Sequence, residues 1–569
     1  MLSILLDGFL LLLDYKFEFL VLLLGAWACG VIVINTGILD ETESIIKYIS
    51  ALCIGSLLLT GITYIISFLS VFSSNLFRVT CYFIFLCSIF ILIKDVIAAG
   101  LNIEKIKYSF ATTLLLIFSL VIRLPYLNNI LLPGYADSPI HYQIIHQILF
   151  PEGEIHSKLA VGNILKDYYH FGYHGLTAWL SSVSGASIES SMSFLGQFSL
   201  SLAPLSIVAA TYTLSKNKIG AFYAGILAAL GWIMPAFAVN WGKFPAILAL
   251  STAPILVSYI ILLVDRKVKE PAPLLLAAAL ILISIVIHTR MIILFFIIGG
   301  IIFIISTLKI PAHFKISRSI IYSLLFIIAL LPLSENIEVY FNRPSVGIIL
   351  ILLLPFAFHN YSKETTGLFI FIAGLWCAEF FLSLTSNTIS LLDAQFINIL
   401  LFIPFSILGG LVLAGGLKKI SKGLKPFLLF AVIIVTCYNS PWQSALKPDP
   451  CCNFYTNDDK VAFEWIRSHI KEEGLFITST INDKQQHGTD AGAWIYALTG
   501  KNVNKRAFNS KWDIGTGFPN SCNSGTTDIY IYVGGKQYSF PREQLTGLNW
   551  AEIVFSHGKV SIFKIVKCQ

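Results

Sequence analysis

Runs of roughly 17–25 apolar residues, each long enough to cross a bilayer core as a helix, recur along this chain. In lipid every backbone N–H and C=O must be satisfied within the protein, so such runs read as helices. Spans are expected near residues 18–38, 46–72, 77–98, 107–124, 189–213, 219–239, 246–264, 271–288, 291–308, 319–334, 346–358, 366–386, 396–416 and 424–438. The composition agrees: 56% of the 569 residues are hydrophobic and 12% are charged, with a mean hydropathy of +0.77, against about 25% charged in a soluble domain. The expected fold is a polytopic α-helical membrane protein of about fourteen spans.

The net charge of +7 does not point to nucleic acid, because the basic residues sit in short loops between spans. Alternate loops carry Lys216, Lys218, Arg266, Lys267, Lys269, Lys315 and Arg318, while the opposite loops carry only Lys243, Arg290 and Arg343. The positive-inside rule places the first set in the cytoplasm. The 125–188 loop and everything after about residue 440 are then expected outside the cell membrane. Residues 1–14 are apolar without a basic leader or a small-residue cleavage site, which reads as an interfacial helix or part of the first span rather than a removable signal.

Four regions follow: N-terminal spans over 1–124, an outer loop over 125–188, a membrane bundle over 189–438 and a soluble tail over 439–569. The tail reads as a small α+β domain large enough for its own core. A helix is expected over Asp458 to Lys471 with Val461, Trp465 and Ile466 on one face. Strands are expected at Leu475–Thr478 and Asp528–Val533, and a hairpin around His557-Gly558. Six cysteines lie in spans, and four (Cys451, Cys452, Cys522 and Cys568) lie in the tail. An oxidising exterior would allow a disulfide from Cys451 or Cys452 to Cys522, and no paired CxxC spacing points to zinc.

The chemistry is expected in the outer loop, at Leu132-Pro133-Gly134-Tyr135-Ala136-Asp137-Ser138-Pro139-Ile140-His141-Tyr142-Gln143. Ile140, Ile144, Ile145, Ile148 and Leu149 recur at helical spacing, so 138–149 reads as an interfacial amphipathic helix, with a second from Gly172 to Val183. Ser138 suits the cap and Pro139 the first turn. Asp137 and His141 are four apart and share a face if the helix starts at Asp137. Asp137 at the positive helix end favours its ionised form, which can accept a proton from a sugar hydroxyl or merely cap the helix. Tyr168, Tyr169, His170, Tyr173 and His174 fit a carbohydrate site, or equally an interfacial aromatic belt. Other outer turns carry Asn240-Trp241-Gly242-Lys243-Phe244-Pro245, His288-Thr289-Arg290, Glu335 with Glu338 and Arg343, and Asp393 with Gln395. Arg290, with nothing acidic near it in sequence, is the first candidate to grip a phosphate and Lys243 the second; the bland reading is a snorkelling side chain. Walker, dinucleotide and HExxH signatures are missing, which leaves ATP-driven transport and zinc proteolysis unsupported.

An outer loop with an early Asp, a multi-span bundle and an outer C-terminal domain together resemble the GT-C superfamily of membrane glycosyltransferases. The stretches that carry the resemblance are Asp137-Ser138-Pro139-Ile140-His141, Phe171-Gly172-Tyr173-His174-Gly175-Leu176, the Asn240 turn, His288-Thr289-Arg290 and Gly488-Thr489-Asp490-Ala491-Gly492-Ala493-Trp494-Ile495 with Thr499-Gly500-Lys501. The resemblance implies transfer of a sugar from a polyprenyl-phosphate donor to a glycan, lipid or protein acceptor outside the membrane. In it Asp137 would be the general base with His141 beside it. Arg290, Lys243 and His288 would meet the donor phosphate, and Tyr169, His170, His174 and Trp241 the substrate. The chain departs from the pattern in placing three or four spans before the loop, and in lacking both an Asp-Glu pair and a Trp-Trp-Asp signature. No cofactor and no metal is therefore implied. The rival readings are a transporter or flippase of a lipid-linked sugar, to which Glu379 within a span would be suited, and a non-enzymatic scaffold with an outer binding domain.

Overall fold

The computed structural model describes residues 2–40, 42–100, 102–135, 137–151, 170–308, 310–311, 313–341, 344–385, 392–418, 420–421, 423–439, 445–450, 452–471, 473–481, 488–509 and 528–566. Tyr168, Tyr169, Arg343, Cys451, Cys522 and Cys568 lie outside this set. The chain divides into two compact units, one of residues 1–128, 164–238 and 244–447, the other of 129–163, 239–243 and 448–569.

The first unit is a membrane bundle. Among the described residues nine helices are long and apolar enough to cross a bilayer, beginning with Lys16–Ile34 and ending with Ala394–Leu417. Five further apolar helices are shorter: Lys218–Gly231, Pro271–Ile287, Met291–Thr307, Gly347–Asn360 and Lys425–Thr436. The N-terminal apolar stretch forms a separate helix, Leu2–Asp14, broken from the first span at Tyr15. Small residues draw the first two spans together: a Cβ on Gly55 would stand 2.1 Å from the Ala26 carbonyl oxygen. Lipid supplies no hydrophobic drive between helices, so such close backbone approach carries the packing. The helix Ile188–Ser215 is the most enclosed span, and its Ser206 hydroxyl accepts the Ile255 N–H of the neighbouring Phe244–Asp265 helix at 2.9 Å.

Two expectations are corrected here. The span expected over 219–239 is not continuous. An α-helix covers Lys218–Ile226, widens into a π turn over Leu227–Gly231, and stops where Trp232 turns extended. Pro235 lacks an N–H and biases Met234 away from helical backbone, so the ladder cannot continue. The Trp232 indole anchors the break by donating to Ser406 Oγ at 2.9 Å. The helix Gly172–Ser184 is not an interfacial one either, since Gly172 to Ser181 are all buried. Gly175 lets it lie against the backbone of Thr63.

The second unit is built on a five-stranded sheet in the order β2-β1-β3-β5-β4, with β1 Leu475–Thr480, β2 Asn502–Ala507, β3 Ile529–Val533, β4 Ala551–His557 and β5 Val560–Ile565. β1 pairs in parallel with β2 and β3, and β5 runs antiparallel to β3 and β4. Period-2 alternation gives each face a core. Phe476, Tyr530, Tyr532 and Ile562 pack with Ala462, Phe463 and Ile466 of the helix Asn457–His469. Ile477, Ile531 and Phe563 pack with Phe540, Leu545 and Trp550 on the other side. The buried helix face therefore runs through Ala462 and Phe463 rather than Val461, which is 39% exposed. The helix starts with a capping box between Thr456 and Asp459.

The fully buried Asp490 ties the sheet together. It accepts the N–H of Gly492 at 2.9 Å, and beyond the end of β3 the N–H of Gly534 and the hydroxyl of Ser539. Burial pushes its carboxyl up to about 6. Two residues far from the tail in sequence belong to this unit: Leu132 joins the sheet core, and Tyr142 meets Trp494 edge-on with ring centroids 5.9 Å apart. Cys452 is disulfide-bonded.

Candidate functional site

The sheet unit holds Asp137. The helix that carries it covers Asp137–Leu149, with the acid at its first residue. Ser138, expected as the cap, instead donates its hydroxyl to the Gly134 carbonyl at 2.6 Å. The turn before the helix is fixed from the tail: Tyr135 sits at φ 59° and donates its N–H to the Cys452 carbonyl at 2.7 Å. The Asn240 turn enters from another direction, its Oδ1 accepting the Asp449 N–H at 2.8 Å.

These constraints bring together three of the residues expected to act. Lys243 Nζ donates to Asp137 Oδ2 at 2.7 Å, the two side chains being 25% and 18% exposed. His141, one turn beyond Asp137, is 4% exposed. Its Nε2 lies 3.0 Å from the Gly242 carbonyl. A carbonyl only accepts, so Nε2 carries the proton. Burial pushes the ring down to about 4, against smaller upward pulls from Asp137 and Gly242. His141 is thus a neutral positioning residue that holds the Lys243 turn against the acid's helix. Gly242 makes this possible: its φ is +66°, and a Cβ there would stand 2.7 Å from Ser138 Oγ. Trp241 beside it is half-buried.

The membrane unit holds the other candidates. Arg290 pairs with Asp393 at 2.6 Å and lies over the Phe396 ring with its Cζ 5.4 Å from the centroid. The expectation that no acid stands near Arg290 holds along the chain but not in space. Asp393 also caps the helix Ala394–Leu400 by accepting the Phe396 N–H at 2.7 Å. His288 stacks on the same Phe396 ring at 5.2 Å, and His170 lies 4.6 Å from His288. His174 is fully buried and edge-on to Tyr173 at 5.8 Å, which removes it from direct contact with a solvent-borne substrate. Among the described residues no group of three or more His, Cys, Asp or Glu side chains is placed to hold a metal ion.

Sequence reasoning passed over Asp393 as Arg290's partner and Gly242 as the residue that closes the Asp137 turn. The one available signal was the glycine beside a lone outer lysine.

The first unit's central spans and both cationic turns fall in a stretch that matches one family model. Residues 109–333 match the model of a family of unknown function, DUF6541. The match takes in Asp137, His141, Lys243, His288 and Arg290 and stops short of Asp393 and the tail. No curated protein matches the chain.

Proposed function

We propose that the chain is an integral membrane glycosyltransferase of GT-C type that moves a sugar from a polyprenyl-phosphate donor to an acceptor on the extracytoplasmic side of the cell membrane. The observation that carries the reading is the Asp137–Lys243 pair, a carboxylate and an ammonium 2.7 Å apart at a helix N-terminus and still partly open to solvent. Asp137 takes the proton of an acceptor hydroxyl as that oxygen attacks the anomeric carbon. The bond from carbon to phosphate oxygen breaks, and the lipid phosphate leaves with the electron pair. Lys243 turns from the carboxylate to the departing phosphate, which frees the base as the charge develops. Arg290 and His288 are proposed to grip the phosphate of a lipid-linked molecule at the membrane unit. About fourteen crossings result if each of the five shorter apolar helices spans the bilayer.

The test is transfer from polyprenyl-phosphate sugars in vesicles holding the full chain. Asp137→Asn is expected to abolish product while the protein stays folded; near-normal product from that variant removes Asp137 from the mechanism. One observation favours a second reading. The helical run that starts at Lys218 stops at the buried Gly231, as discontinuous helices do in transporters. Movement of a lipid-linked sugar across the same vesicles with no transfer product would select it.

A further inference from the structure

Proline and small side chains hold a set of spans apart in the membrane unit. Pro254 lies inside the helix Phe244–Asp265, where its ring and missing N–H disturb the regular ladder. Ala210, Ala253, Gly367 and Pro404, on four helices, border the same space without filling it. The result is a cavity of about 250 Å³ between these helices and Met291–Thr307.

The cavity changes character along its length. One end is apolar and closed, with Ala253, Leu294 and Leu400 all buried. The other carries Asp265, Ser306, Lys363 and Glu364, of which the first three are exposed and Glu364 is half-buried. Asp265 is the last residue of its helix and Ser306 the next to last of Met291–Thr307, while Lys363 and Glu364 lie in the first turn of Ser362–Thr385. All four stand at span ends, on the side whose loops carry Arg266, Lys267 and Lys269. From Ala253 to Asp265 the wall runs about 18 Å at 1.5 Å per residue, close to the roughly 15 Å of one leaflet of a bilayer core.

The charges at the mouth select the occupant. Among the described residues Asp265, Lys363 and Glu364 form no ion pair. Lys363 and Glu364 are adjacent in the chain and so do not face each other on the helix. A headgroup with phosphate alone would bring its charge against two carboxylates. A headgroup that also carries an ammonium matches both signs, phosphate to Lys363 and ammonium to Asp265 or Glu364.

We infer that this cavity binds one phospholipid of the adjacent leaflet whose headgroup carries both a phosphate and an ammonium, with an acyl chain lying along the slot. The chain fills the gap that the prolines and small residues leave between spans. The site does not depend on the proposed reaction.

Full-length protein in mild detergent is washed free of loose lipid and incubated with equal amounts of phosphatidylethanolamine and phosphatidylglycerol. Retained lipid is then identified and counted per chain by native mass spectrometry. The wild type is expected to keep one phosphatidylethanolamine per chain. Lys363→Gln is expected to lower that retention about fivefold, the most that one exposed ion pair contributes. The double variant Asp265→Asn, Glu364→Gln should lose the preference for the ethanolamine headgroup. Val257→Phe, at a position that lines the slot, should lose the bound lipid. Equal retention of phosphatidylglycerol by the wild type overturns the site, as do unchanged retention in Val257→Phe and a lipid-free dimer with a second copy in the slot. Where Val257→Phe does not survive extraction, the variants of the exposed mouth decide.

Discussion

Lys243 and Asp137 are 106 residues apart in the chain and share a hydrogen bond of 2.7 Å. Each neutralises the other. A variant that removes one charge leaves the other partly buried without that ion pair, and the two losses need not be equal. Asp137→Asn should cut transfer by about 10²–10⁴-fold, the usual worth of a general base. Lys243→Gln should instead weaken donor use while leaving a residual rate. Steady-state transfer measured against donor concentration separates the two, and equal losses in both variants would contradict the assignment.

Gly242 is expected to tolerate no side chain. Gly242→Ala meets both a left-handed backbone and a Ser138 Oγ 2.7 Å away, a strain of about 1–3 kcal/mol. The variant should lose transfer with little change in the melting of the membrane bundle. The double variant Gly242→Ala, Ser138→Gly should recover part of the loss, because only the steric half of the cost is relieved.

His141 should make the fold acid-sensitive. Its folded value lies near 4, below the ordinary 6.5 or so. Below about pH 6.5 the unfolded chain therefore binds a proton that the folded chain refuses. The stabilisation is present above that pH and is lost as pH falls toward 4, up to about 3 kcal/mol in all. Thermal unfolding across this window should show the drop, and His141→Gln should flatten it.

Asp490 works the other way. Its folded value is raised to about 6 by burial, so its contribution is complete below about pH 4 and is lost as pH rises through 6. Asp490→Asn should remove that opposing slope and steepen the acid loss due to His141. A variant whose profile matches the wild type would mean that Asp490 titrates in its ordinary range.

Arg290 should bind phosphate better without its partner. Asp393→Asn leaves the guanidinium charged and still over Phe396, and is expected to lower the KM for a lipid-phosphate donor by about tenfold, or 1.4 kcal/mol. Arg290→Lys should not mimic the wild type, since a lysine lacks the planar fork. An unchanged KM in both variants removes the pair from donor recognition.

Long apolar runs and four of the five described strands of the tail were legible because each is set by its own local pattern. The helix over Asp137–Leu149 was legible for the same reason. The break at Gly231 was not, because Leu227 to Trp232 is as apolar as any span and only Pro235 beyond it marks the fault. Strand β2, Asn502–Ala507, escaped because an edge strand with polar side chains shows no alternation to read. The Arg290–Asp393 pair joins loops separated by several spans, and no periodicity links them. Gly242's role rests on a backbone angle, which composition does not display.

The sheet unit is assembled from three separate parts of the chain, and this orders its birth. Tyr135 leaves the ribosome 317 residues before Cys452, whose carbonyl accepts its N–H. At roughly 5–20 residues per second the turn that carries Asp137 waits some tens of seconds for its partner. Any chain ended before Pro448 therefore lacks the groups that hold the Tyr135 and Asn240 turns, so a truncated product is expected to show no transfer however well its spans are packed.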